Sequence, residues 1–403
     1  MATFSDLFTH TRASTATYTD ANGILQTAAI NEPRTNSHYW NGSAWVKGYQ
    51  HESEARTNLI TYSSDFTNAA WTKLAVSVAS GQVSPDGTTN ANLVTNDGTS
   101  SQHYTVTSPG VDITNAHTFS VFLKAGTANY AHILLTTINA WIQIDLSDGS
   151  IMSSGVLPVG QLVDFGVQQF GGFYRVHLAA SGAGYIPQCR VYFLDAPQAT
   201  AGPVETSSST GIVYGAQFEL GSTPSSYIPT AGATVTRAAD VMTLPIANIP
   251  YPTGSPLAVS IAMDGVMTYA DNNSGSTVEY CSWFNSSTDN LQYRLTTVGA
   301  LSGSVFIKQK ANNIEDFVQS ADIYSPGVNV PFSIASRHGS TFINGAVDGT
   351  ALTADLTPVA FPNLSATNMS IAPTFNGFIH KFRMWGDTTG DIGDIGIAEA
   401  SAT

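Results

Sequence analysis

The sequence predicts an all-β protein made of two tandem antiparallel β-sandwiches behind a small N-terminal attachment region. Three observations carry this. Apolar and polar residues alternate over runs of five to eight throughout the 403 residues, while long windows with the three-and-four spacing of a helix are absent. Turn formers, with 35 Gly and 18 Pro, punctuate those runs at short intervals. Four prolines, Pro245, Pro250, Pro252 and Pro256, fall between Leu244 and Pro256, which excludes a central strand or helix and reads as an extended linker.

Residues 1–55 hold weak strands around Thr15 to Tyr18 and Ile24 to Ala29, joined by Asp20-Ala21-Asn22-Gly23. A second hairpin follows, with Tyr39-Trp40 facing Trp45 across Asn41-Gly42. So short a region has too little core to stand alone, and its aromatics are expected to pack on the first sandwich or on a partner subunit. Residues 56–243 form the first sandwich, with strands at Thr118 to Lys124, Tyr130 to Thr136, Ile138 to Leu146, Phe173 to Ala179, Arg190 to Leu194 and Ile212 to Leu220. The third is the clearest, since it alternates strictly and ends at Ser147-Asp148-Gly149-Ser150, whose Asp-Gly pair supplies the positive φ a hairpin needs.

Beyond the linker at 244–256, residues 257–386 form the second sandwich. Its strands are read at Leu257 to Met263, Thr277 to Phe284, Leu291 to Thr297, Ser304 to Lys310, Phe332 to Ser336, Thr341 to Asn344 and Gly377 to Trp385. Residues 387–403 make a loose Gly- and Asp-rich tail.

Charge is scarce and negative. The 15 Lys+Arg and 29 Asp+Glu make only 11% of the chain and give a net charge of −14, so no basic stripe is available for phosphates and nucleic-acid binding is excluded as the main task. Hydrophobic residues at 42% supply ample core, which excludes disorder. No basic start followed by an apolar stretch marks an export signal, and no apolar run is long enough to span a membrane as a helix. Cys189 and Cys281 lie in different sandwiches and are expected to be free, buried thiols.

Enzymatic constellations are missing. There is no Gly-x-Ser-x-Gly elbow, no Gly-Lys phosphate loop and no Cys-x-x-Cys; His51-Glu52-Ser53-Glu54-Ala55 begins like a zinc-protease helix but has Ala55 where the second His belongs. The carboxylate pairs Asp145 with Asp148 and Glu315 with Asp316 read as a solvated turn and an exposed stretch. The chain is therefore expected to be no enzyme, with no metal site and no cofactor.

Strand parity supplies the binding candidates. In Ile138 to Leu146 five apolar side chains fill one face, which puts Trp141 on the other among Asn139, Gln143 and Asp145. The same test turns Arg175 and His177 away from Tyr174, Val176 and Leu178, and Arg190 and Tyr192 away from Val191 and Phe193. In the second sandwich Trp283 and Arg294 lie opposite an apolar set that includes Tyr280, Phe284, Leu291 and Tyr293. An aromatic flanked by forked donors and amides suits a sugar ring, so these seven residues are the glycan-binding candidates. The alternatives are equally physical: Trp141 and its neighbours pack beneath an adjoining domain or subunit, and Trp283 belongs to the core.

Four stretches carry a resemblance: FTHTRASTATYTDANGILQTAAINEPR (Phe8 to Arg34), EARTNLITYSSDFTNAAWTK (Glu54 to Lys73), SPDGTTNANLV (Ser84 to Val94) and VYGAQFELGSTPSSYIPTAGATVTRAAD (Val213 to Asp240). In this order they resemble a module of bacteriophage head-spike and tail-fibre proteins, whose sandwich is similar to carbohydrate-binding modules of the jelly-roll type. PFSIASRHGSTFINGAVDGT (Pro331 to Thr350) with FNGFIHKFRMW (Phe375 to Trp385) is similar to the closing strands of laminin-G or concanavalin A-like jelly rolls.

The resemblance implies a virion structural protein on a phage or gene-transfer particle, a head spike or tail fibre that meets host cell-surface polysaccharide. Its partners would be other virion proteins and copies of itself, with no nucleic acid or membrane. It would assemble in the host cytoplasm and leave by lysis. Similar jelly rolls sometimes hold calcium, for which Asp387, Asp391 and Asp394 are the oxygen ligands at hand, although a flexible acidic tail is the simpler reading. Two rival functions remain: a particle-borne capsule depolymerase and a ligand-free decoration or collar protein.

Overall fold

The structure is a computed structural model that describes residues 4–156, 161–249, 258–271, 277–386, 396 and 401–402. The linker beyond Ile249, and Asp387, Asp391 and Asp394 with the calcium reading placed on them, lie outside the described residues. The architecture is all-β and antiparallel, as the alternation requires; Phe4–Leu7, Ile246–Asn248 and Gly299–Leu301 are single helical turns.

The first sandwich has two six-stranded sheets. Sheet 1 runs Ile151–Gly155, Ala140–Asp145, Tyr130–Leu135, Cys189–Leu194, Tyr104–Thr107, Thr72–Leu74; sheet 2 runs Gln161–Phe170, Phe173–Ser181, His117–Ala125, Thr210–Leu220, Ala91–Asn96, Val76–Gln82. Between them Phe119, Val121, Leu123, Ile133, Ile142, Ile144, Val176, Leu178, Val191 and Phe218 form one core at 0–1% exposure. Each such side chain contributes roughly 1.5–3 kcal/mol. Cys189 and Cys281 are free and buried.

The second sandwich has two seven-stranded sheets that draw strands from both ends of the chain. Sheet 3 runs Thr9–Thr11, Val241–Leu244, Met369–Ile371, Thr277–Ser286, Asp289–Thr296, Val305–Ala311, Ile314–Gln319. Sheet 4 runs Thr350–Ala351, Ile343–Val347, Gly327–Gly339, Ala258–Tyr269, Asn376–Gly386, Trp45–Glu52, Arg34–Trp40. The expected attachment region therefore supplies an edge strand to sheet 3 and a hairpin to sheet 4, and the packing partner of Tyr49 is the core of the second sandwich. The first sandwich is inserted between these pieces, entering at Arg56–Asn58 and leaving at Val235–Arg237, which pair side by side. Leu244, read as linker, ends a strand paired with Met369.

A buried ionic network fastens the insertion point. Arg34 donates to Glu52 Oε2 at 2.7 Å, to Asp240 Oδ2 at 2.5 Å and to the Thr17 carbonyl at 3.1 Å. Arg12 reaches Asp240 Oδ1 at 3.0 Å, and Arg237 Nε stands 3.2 Å from Glu52 Oε2. Two further bonds join Glu52 and Asp240: the Glu52 N–H donates to the Asp240 carboxylate at Oδ2, and the Asp240 N–H to the Glu52 carbonyl. Burial pushes the Glu52 carboxyl up, but Arg237, Arg34 and two bonds from Ser226 hold it far below the usual carboxylate range. Asp240 is lowered likewise, the Arg34 guanidinium and the Glu52 N–H overcoming its burial. Removing one partner of a buried pair costs about 3–5 kcal/mol. Arg34→Ala is accordingly expected to lower unfolding free energy by roughly that amount in urea titration; a loss under about 1 kcal/mol would mean that the network is dispensable.

Three histidines are held neutral by burial, with pKa lowered to about 4 for His51 and about 3 for His132 and His338. The unfolded chain takes up these protons below about 6.5 while the folded one does not, so stability falls as pH drops from 6.5 toward 4. Glu52 and Asp240 extend the loss below the ordinary carboxylate range. The melting temperature is expected to fall steadily from pH 7 to pH 4.5; a flat profile over that window contradicts the assignment.

Candidate functional site

The seven candidate residues do not form one site. Trp141, Arg190 and Tyr192 share the outer face of sheet 1, whereas Arg175 and His177 lie on the outer face of sheet 2, with the whole core between the groups. Their strands do not share a sheet, because Phe173–Ser181 pairs only with His117–Ala125 and Gln161–Phe170 among the described strands. Arg175 and His177 therefore do not flank Trp141.

Parity placed Trp141 off the main core, but it is not open to solvent. It is 8% exposed in a separate cluster with Leu134, Tyr192 and Leu194, its ring stacked on His132 at 5.3 Å and 16°. A side chain at Gly155 would press on the indole, so the edge strand closes against it. The segment following Leu194 covers the rest: the Gln198 N–H donates to Gln143 Oε1 at 3.0 Å, and Ala201 packs on the cluster. Arg190 stacks over Tyr104 at 4.2 Å and donates to the Tyr192 hydroxyl at 3.3 Å. Sequence parity assigns a face but not what folds over it.

Trp283 is fully buried in the second core, its Nε1 donating to the Thr367 carbonyl at 2.9 Å, and it lines no groove. A register shift between Glu279 and Cys281 opposite Arg294 and Tyr293 reverses the alternation, so Tyr280, Cys281 and Trp283 all reach the core while Phe284 is 41% exposed. Arg294 lies on the outer face, half-buried over Phe306 at 5.7 Å.

A cleft of about 890 Å³ lies where the two sandwiches meet. One wall is the edge strand Gln161–Phe170, with Asp164, Phe165 and Gln168; the facing wall is the hairpin of sheet 4, with Tyr39, Trp40, Trp45 and Gln50. The segment 326–331, including Asn329 and Pro331, forms one end, and Tyr18 with residues 223–227 completes the floor. Trp40 and Trp45 contact at 5.6 Å across their turn. Gly23, at φ +76 and directly against Trp45, has no room for a side chain, which fixes the indole beside the first sandwich.

Arg175 and His177 do reach this cleft, as buried floor. Arg175 donates to the Ser225 carbonyl at 2.7 Å and the Ser120 hydroxyl at 2.9 Å. His177 Nε2 lies 3.2 Å from Asp164 Oδ2. Ser225 and Ser226 bridge the modules: Ser225 bonds Glu219 of the first sandwich through N–H (2.9 Å) and hydroxyl (2.6 Å), and Ser226 bonds Glu52 through N–H (2.7 Å) and hydroxyl (2.6 Å). The cleft residues Trp40 and Trp45 were visible in the sequence only as surplus aromatic area around Asn41-Gly42.

No family model and no curated protein matches this sequence. Solved structures that resemble it include sheep galectin-11 in complex with glycerol, at 11% identity over 34% of this chain and 97% of that one, TM-score 0.23. Mouse laminin alpha1 chain domains LG4-5 align at 9% identity over 71% and 86%, TM-score 0.23. A mutant of NanB sialidase from Streptococcus pneumoniae aligns at 7% identity over 35% and 23%, TM-score 0.25.

The setting of Trp141 reverses what a solvent-facing ring would do. Trp141→Ala is expected to remove about 3–5 kcal/mol of stability, seen as a lower denaturation midpoint; an unchanged midpoint would return Trp141 to the surface.

Proposed function

We propose that the protein is a glycan-binding structural protein of a phage or gene-transfer particle, a head spike or tail fibre that reads host cell-surface polysaccharide in the cleft between its sandwiches and performs no chemistry on it. The observation that carries the binding reading is the cleft's lining. Aromatic rings at Trp40, Trp45, Tyr39 and Phe165 offer stacking area, and the amides of Gln50, Gln168 and Asn329 offer paired donors and acceptors. Sugar rings need both together, and about 890 Å³ lies within the range of ligand sites, which favour domain junctions. The particle role is supported by the resemblance of the four sequence stretches, and repetition on a symmetric particle would add avidity to a weak single site.

Loss of a central stacked aromatic costs about 2 kcal/mol, roughly 30-fold in affinity. Trp40→Ala in the full chain is expected to weaken host-polysaccharide binding by that factor in calorimetric titration while the protein stays folded. Absence of binding to any host polysaccharide by the wild type defeats the reading, and released oligosaccharide replaces it with a depolymerase.

A further inference from the structure

We infer that the cleft continues into an acidic annex built to hold a free ammonium group, so that the glycan it reads carries an unacetylated amino sugar; this deepens the glycan-binding reading and rests on it. The annex is a second cavity of about 380 Å³ that shares Tyr39, Val266 and Pro331 with the main cleft. A ligand lying along the Trp40 wall therefore reaches it by passing Tyr39.

Its walls come from an irregularity in sheet 4. Asp264 is paired with Lys381 and Gly265 with Ile379, which leaves His380 as the extra residue of a bulge. Bulges re-aim side chains, and the His380 ring lies parallel to Tyr39, at 3° and 5.7 Å. Gly265 permits the close approach, since a Cβ there would collide with the Phe378 carbonyl.

The polar atoms gathered here lack partners. Asp264 is 6% exposed and its buried Oδ2 accepts no hydrogen bond; Ser333, paired with Asp264 across the sheet, is 8% exposed with an equally unpartnered hydroxyl; His380 Nε2 is a third. Asp348 joins from the adjoining turn, at φ 46, and its Oδ1 accepts the Ser333 N–H at 2.9 Å. Native interiors leave few polar atoms unpaired, and each asks for an occupant. The positive charges acting on Asp264 are Lys381 and Arg383, and the His380 ring stands beside it with Nδ1 3.8 Å from Oδ1. Burial raises the Asp264 carboxyl more than its neighbours lower it.

An ammonium supplies what is missing: a positive charge with three donors, enough for Asp264 Oδ2, the Ser333 hydroxyl and the Asp348 carboxylate together. An N-acetyl group at the same place has no charge and a single N–H, and leaves a buried carboxylate oxygen unpaired. A site built around such a donor discriminates strongly against the analogue that lacks it.

The test titrates the full-length protein at pH 7 with a glucosamine tetramer and, separately, its fully N-acetylated counterpart. The free-amine tetramer is expected to bind at least about tenfold tighter, and Asp264→Asn to bring the two within about threefold. Asp348→Asn, on an exposed turn, decides if the first variant does not fold. Equal binding, preference for the acetylated tetramer, or binding of neither by protein that holds host polysaccharide overturns the annex and leaves the cleft reading intact. A preference that survives in a folded Asn variant overturns it as well. Failure to bind any glycan, host polysaccharide included, removes the cleft reading itself.

Discussion

The guanidinium of Arg34, shared between Glu52 and Asp240 with no solvent around it, is the constraint on which the arrangement depends, because the three residues it joins come from separated parts of the chain. A buried ion pair contributes little net stability against a well-packed apolar replacement; its value lies in the penalty for any arrangement that separates the charges. Here that penalty falls on misplacing the insertion. If Val235–Arg237 failed to return beside Arg56–Asn58, Asp240 would leave Arg34 and Arg12, and Glu52 would lose Arg237. The cleft is a product of the same constraint. Its hairpin wall follows Arg34 directly and its floor hangs from Glu52 through Ser226, so the geometry of the cavity is set by the network.

What the sequence made legible was the periodic part. Strands such as Ala140–Asp145 and Phe173–Ser181 bury one face strongly enough for alternation to reveal them, and their parity relative to the core came through intact. Parity failed where the ladder is irregular, as at Trp283, since one extra residue between Glu279 and Cys281 exchanges inside for outside without any mark in composition. Location failed where pairing is remote. Trp45–Glu52 pairs with Asn376–Gly386, more than three hundred residues away, and no local pattern announces that partner. The four stretches that carry the resemblance stand in the sequence only as strings. Their chemistry became readable only when Arg12, Arg34, Arg237 and Asp240 met in space.

The two outer faces of the first sandwich show how alike a binding surface and an interior face look in one dimension. Both carry aromatics, arginines and amides among apolar neighbours. On sheet 1 the segment after Leu194 folds back and closes over Trp141, while on sheet 2 the approaching hairpin of the second sandwich stops short and leaves a cavity. The difference is made by a covering loop in one case and by the spacing of two rigid modules in the other, and neither is encoded in the strands concerned.

The interrupted second sandwich has a mechanical consequence. Because Thr9–Thr11 lies against Val241–Leu244, and Trp45–Glu52 against Asn376–Gly386, tension applied between the first and last described strands runs through ladders inside that one module. The inserted sandwich branches off this line of force at two neighbouring strands and hangs outside it, unloaded. A protein pulled from both ends would thus yield first by shearing its terminal strands, while the inserted module kept its shape.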